Sequence, residues 1–185
     1  MKNFMKSIIV ITSIILSTSS VLEAQLIDRG GKEIPEHLRF YKDKYEASFD
    51  AYFEDVWNAV VESIGDLNCL ISQKSRKLND EGLMKGIIRT DYCVFAQIES
   101  DHDVKDSLLI YSKKIPVILG ASWSNGRMQY KIIIKETDDD KVVLIIKGEI
   151  SGMESYITQE VHFWESSGFL EHHLMEAIKK KLKDK

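Results

Sequence analysis

Residues 127–150 read RMQYKIIIKETDDDKVVLIIKGEI. Met128, Tyr130, Ile132 and Ile134 alternate with Gln129, Lys131, Ile133 and Lys135, and after a break Val142, Leu144, Ile146 and Ile150 sit on a second alternating face. Successive side chains of a strand point to opposite sides of the pleat, so period-two alternation marks a half-buried strand. Thr137-Asp138-Asp139-Asp140-Lys141 separates the runs. Aspartate disfavours strand interiors and suits turns, which predicts a hairpin tip there. This hairpin is expected to be the middle of an antiparallel sheet on which the rest of the chain packs.

The N-terminus supplies the expected address. Lys2 and Lys6 precede the apolar run 8–16, and Ser17-Thr18-Ser19-Ser20 leads to Leu22-Glu23-Ala24. That order of regions predicts a secretory signal peptide over 1–24, cleaved after Ala24. The alternative, an uncleaved anchor, is disfavoured because the apolar run is short for a membrane span. Residues 25–44 are polar, with Gly30-Gly31 and Pro35, and are read as an arm; residues 45–185 are read as a single α+β domain. The 185-residue chain carries 25 basic and 29 acidic side chains, a net charge of −4; losing Lys2, Lys6 and Glu23 takes it to −5. An acidic exported domain is a poor nucleic-acid binder, because that binding rests on neutralising phosphates. No second apolar stretch is long enough to span a bilayer, so no transmembrane segment is expected in the mature chain. The expected location is periplasmic or secreted.

A short first strand is predicted over 45–49, and Asp50 or Ser48 is the expected cap of a helix over 51–66. On that helix Phe53, Val56, Trp57, Val60, Val61 and Ile64 recur every three or four residues and form one apolar stripe, with Trp57 as a core anchor. Strands are predicted over 67–76, 83–95, 107–112 and 155–164, the last with Ile157, Val161 and Phe163 on one face. Ser166-Ser167-Gly168 starts a final helix with Leu170, Leu174, Ala177, Ile178 and Leu182 on its apolar stripe. Lys179, Lys180, Lys181 and Lys183 end it, where positive charge suits the helix dipole and solvates the helix end.

The order is strand, helix, about six antiparallel strands and a long C-terminal helix. With ASFDAYFEDVWNAVVESI (47–64), the late hairpin and FLEHHLMEAIKKKL (169–182), the chain resembles helix-grip domains. These are the START/Bet v 1-like group and the periplasmic domain of the outer-membrane assembly lipoprotein BamC. The likeness is topological and covers roughly residues 44–182. It departs from BamC in having no cysteine before Cys69. The resemblance implies a curved sheet wrapped around the C-terminal helix. Tyr130, Ile132, Leu144, Ile146, Leu174 and Ile178 would then face the interior.

Cys69 and Cys93 are the sharpest local candidates. A hairpin centred on Glu81 would set them opposite each other, close enough for a structural disulfide in an oxidising compartment. A one-step register offset would instead leave two buried thiols. His162, His172 and His173 do not converge as a zinc site requires, and His173 is read as a half-buried packing residue beside Phe169 and Ala177. Asp101-His102-Asp103 with Asp106 lacks the spacing of a calcium loop, and Asp138 to Asp140 is read as a solvated turn. No nucleophile motif or phosphate loop is present, so neither an enzyme nor a cofactor is expected. Residues 113–126, KKIPVILGASWSNG, are read as a long loop setting Ile115, Val117, Ile118, Leu119 and Trp123 among glycines. Long loops in compact domains either fold onto the core or serve as flaps and docking patches. The expected function is an exported, non-catalytic interaction module of the cell envelope that binds a protein partner. The alternative is a carrier of a small apolar ligand. Trp123, Ile118, Tyr130 and Leu174 are the candidate contact residues for partner or ligand.

Overall fold

The computed structural model describes residues 35–42, 44–98 and 103–184. The expected signal peptide, the first ten residues of the arm, Asp101 and His102 lie outside the described residues. A short 3-10 helix, Glu36–Leu38, precedes strand β1, Tyr45–Phe49, and helix α1, Phe53–Asp66. Strands β2 (Ile71–Leu78), β3 (Met84–Thr90) and β4 (Cys93–Gln97) lead to helix α2, Val104–Tyr111. The long strands β5 (Trp123–Glu136) and β6 (Val142–Glu154) form the central hairpin; β7 (Val161–Glu165) and α3 (Phe169–Lys183) close the chain. The fold is α+β, with an N-terminal helix, a C-terminal helix and a seven-stranded antiparallel sheet.

The hairpin organises the sheet as its alternation predicts. β5 and β6 pair along their whole length; β3 and β4 share the other edge of β5, and β1 and β7 share the other edge of β6. Met128, Tyr130, Ile132 and Ile134 oppose Ile150, Gly148, Ile146 and Leu144 on the inner face. All of these except Gly148 are buried. The α1 stripe of Phe53, Val56, Trp57, Val60 and Ile64 packs on this face, as does Leu174 with Ile178 of α3. Trp57 is the expected core anchor: it stacks on Phe53 and lies over Gly86, where a Cβ would stand 2.5 Å from its ring. At Gly148 a Cβ would meet the Met128 methyl and stand 2.5 Å from the Glu171 carboxylate. Only a residue without a side chain lets α3 approach β6 there.

Several expected boundaries are corrected. Residues 107–112 are helical, not a strand: Asp103 caps α2 by accepting from the Lys105 N–H at 2.8 Å, and Val104 and Leu108, one turn apart, are buried. The expected strand 83–95 breaks at Asp91 and Tyr92 into β3 and β4, because the Thr90 hydroxyl accepts from the Tyr130 N–H and ends the regular ladder. The second strand starts at Ile71 rather than residue 67, and Asn68 takes a positive φ of 54° at the exit of α1. The loop begun at Lys113 ends before Trp123, which already belongs to β5. The last strand starts at Val161, and Ile157 belongs to the preceding loop. Neither Asp50 nor Ser48 caps α1; Tyr52 holds the cap position without a side-chain bond. Ala177 is exposed, and Met175 takes its place among the buried residues of α3.

Cys69 and Cys93 form the disulfide, with Cα atoms 5.1 Å apart. The hairpin is centred on Glu81, with Lys77 opposite Lys85. A bulge at Ser72 then ends that register, so the two cysteines meet from outside it: Cys69 precedes β2, and Cys93 opens β4 opposite Met128 of β5.

Candidate functional site

Two loops meet where β5 begins and β6 ends, and one carboxylate holds them together. Glu154 is fully buried at the end of β6. Its Oε1 accepts from the backbone N–H groups of Ser122 and Tyr156, both at 2.9 Å. Its Oε2 accepts from the N–H groups of Ile157 and Thr158 at 2.7 and 2.5 Å, and from the Thr158 hydroxyl. Burial by itself raises this carboxyl, but the N–H donors of Ser122, Thr158, Tyr156 and Ile157 outweigh it and hold the pKa at about 2. Glu154 thus pins residues 155–160 to Ser122, and the Ser155 N–H adds a bond to the Ser122 carbonyl.

The start of the first loop is fixed as firmly. Ser112 bridges Ser166, the Lys113 N–H donates to the Glu165 carbonyl, and Lys113 Nζ bonds both Glu165 and the Tyr41 hydroxyl. The hydrogen bond to Glu165, then that to Tyr41, raises the Lys113 pKa. Between these anchors, the Ala121 N–H bonds the Ile118 carbonyl and Gly120 takes a φ of 77°.

The result is an apolar groove of about 350 Å³, lined by Ile115, Pro116, Val117, Ile118, Ala121 and Trp123, with Leu109 and Lys105 of α2 on its wall. Trp123, 7% exposed, is its floor. It packs edge-on against Trp164 and His162 at 5.4 and 5.7 Å, and Trp164 Nε1 donates to Ser112 Oγ. Val117 is 91% and Leu119 95% exposed, with Tyr156 and Ile157 exposed on the adjoining loop. A trough of about 610 Å³ lies beside the hairpin tip, but its lining mixes Asp50, Glu136, Asp140 and Lys141 with small apolar surface.

Of the four candidate contact residues, Trp123 and Ile118 come together in the groove. Tyr130 and Leu174 do not border it; both are buried in the core. Tyr130 lies opposite Gly148, and burial, then the Glu171 carboxylate, raises its pKa. Glu171 is itself buried, and this desolvation raises its pKa although the Ser166 hydroxyl donates to it at 2.7 Å. His173 is exposed and stacks on Phe169, and His172 stacks on Phe40. Asp139 is bonded to the Thr137 hydroxyl and then to Lys141, which hold its carboxyl at about 2 within the turn. Among the described residues no three His, Cys, Asp or Glu side chains are placed to hold a metal ion. No helix among them is long and apolar enough to cross a membrane.

The sequence reading missed Glu154, because a buried acid inside an apparent strand leaves no periodic mark. It found the groove's floor and one wall but not the other. That wall is α2, whose signal was present as Asp103 ahead of apolar residues at 104, 108 and 111. No protein-family model matches the chain, and no curated protein matches its sequence.

Proposed function

We propose that the protein is an exported, non-catalytic interaction module of the cell envelope, which docks an apolar segment of a protein partner in the groove of residues 113–123. The observation that carries this reading is the near-complete exposure of Val117 and Leu119 on a loop tied down at both ends. Exposed apolar side chains on a rigid support cost little ordering entropy on association, which is how small interfaces reach useful affinity. The intramolecular disulfide supports an oxidising location.

The test is photo-crosslinking in the native host from a probe at Leu119, beside the groove, and from one at Glu62 on α1 as control. A discrete partner band from position 119, lost on Val117→Asp and absent from position 62, is the expected result. Equal labelling from both positions would remove the groove from consideration. A small apolar molecule released on denaturation, and lost in Leu174→Trp, would favour the carrier instead.

A further inference from the structure

Among the described residues the helices cover only one face of the sheet, and the other face carries an array of cations. In an antiparallel ladder directly opposed residues point to the same side. Lys77 of β2 opposes Lys85 of β3, and Lys85 opposes Lys135 of β5. Two residues along, Ile87, Ile133 and Ile145 form an apolar row that ends in Ser75. Two further along, Arg89 opposes Lys131, and Lys131 opposes Lys147 of β6. Each row of three cations spans roughly 10 Å, and the two rows lie about 13 Å apart. Arg127 adds a seventh cation on β5.

None of these seven side chains makes an ion pair with a described residue. The acids on the face are Glu46, Glu149 and Glu165; Glu46 pairs with Lys44 and Glu165 with Lys113. Some lysines elsewhere are matched: Lys181 bonds Asp66 at 2.9 Å, and Lys179 bonds Glu176. Like charges directly opposed across strands destabilise a sheet. A chain of net charge −4 has thus gathered unpaired positive charge on one face at a cost to its own stability.

The far end of the same face is apolar. Val94 and Phe163 flank Arg127 and Ser151 in one row and are 53% and 52% exposed, and Val161 is exposed beside them. Cations spread in two dimensions, bordered by protruding apolar side chains, match a surface of anionic headgroups over hydrocarbon. A linear polyanion would call for a single stripe of cations, and a small anion for a cleft. We propose that the helix-free face of the sheet is a membrane-docking surface for an anionic lipid bilayer, with the two cation rows over the headgroups and Val94, Val161 and Phe163 at the interface.

The test is co-sedimentation of the intact, disulfide-bonded protein with two kinds of vesicle. One is pure phosphatidylcholine and the other contains about one-third phosphatidylglycerol. Binding to the anionic vesicles alone, weakened by salt, is expected. Lys85→Glu/Lys131→Glu/Lys135→Glu should lower partitioning at least about 100-fold, since each basic residue near an anionic surface contributes about fivefold. Its melting temperature should hold or rise, because opposed like charges are removed. Lys85→Gln/Lys135→Gln, a milder change, should lower partitioning about 25-fold on the same scale. Lys179→Glu/Lys180→Glu on α3 should leave it unchanged. Absence of binding to the anionic vesicles, or undiminished binding by both sheet variants, overturns the proposal. So does binding of duplex DNA or a polyglutamate peptide without binding of vesicles, which would point to a macromolecular partner.

Discussion

Glu154 and Glu171 are both withdrawn from water, and their neighbours decide opposite outcomes. Glu154 faces a fan of backbone N–H donors, so its charged form is held in the fold and its pKa falls to about 2. Its contribution to stability is present above the unfolded value of 4.5 and is lost as pH falls from there through about 2. Glu154→Gln replaces one accepting oxygen with a donor that faces other donors. We expect the amides of Tyr156, Ile157 and Thr158 to exchange with solvent at least about tenfold faster by NMR, while core amides are unaffected. Unchanged exchange would mean that something other than this carboxylate holds the loop.

Glu171 is desolvated, and the Ser166 hydroxyl and its own backbone N–H offset only part of that, so its pKa is raised from 4.5. A raised carboxyl favours the protonated fold. It opposes stability above its folded pKa, and the penalty fades as pH falls toward 4.5. Glu171→Gln keeps an acceptor for Ser166 and removes the charge. The variant should melt above wild type at neutral pH, with the gap closing as pH falls toward 4.5. A variant that melts lower at every pH would show that Ser166 and the N-terminus of α3 need the charge.

At the scale of elements, the disulfide ties the exit of α1 to the start of β4, across 24 residues of sequence. Closing a loop of that size stabilises by about 3 kcal/mol in the chain-entropy model. Reduction, or Cys69→Ser with Cys93→Ser, should lower the unfolding free energy by about that amount in a denaturant titration. An unchanged midpoint would show that the β3–β4 kink is held by packing alone. The elements with strong periodicity, α1, the central hairpin and α3, were legible in the sequence. Residues 107–112 were not, because a short apolar run fits helix and strand equally and only its cap distinguishes them. The composition of residues 155–160 predicts a longer last strand than β7, whereas the Glu154 carboxylate bends them into a loop.

At the scale of the whole molecule, the proposals use surfaces that no single element owns. The groove combines a loop, the first residue of β5 and the exposed side of α2. The cation array takes side chains from β2, β3, β5 and β6, each of which looks in sequence like an ordinary solvated strand face. The sequence directed attention to the lysines of α3, but Lys179 and Lys181 are matched there by acids of α3 and α1. A membrane-docked sheet would leave the helices and the 113–123 groove free to meet a partner, so the vesicle and crosslinking experiments are independent.

The class of fold and its organising hairpin were legible in the sequence, because period-two and period-three-to-four patterns are local consequences of backbone geometry. A hairpin centred on Glu81 was one expectation that the strand register bears out, and Trp123 and Ile118, offered as candidate contact residues, come together in one groove. The tertiary structure alone decided which cations stand unpaired, which acid is ringed by amides, and how Cys69 reaches Cys93 past a bulge. Those depend on register between strands and on contacts across more than thirty residues of chain, such as Ser122 with Glu154. No local pattern encodes them.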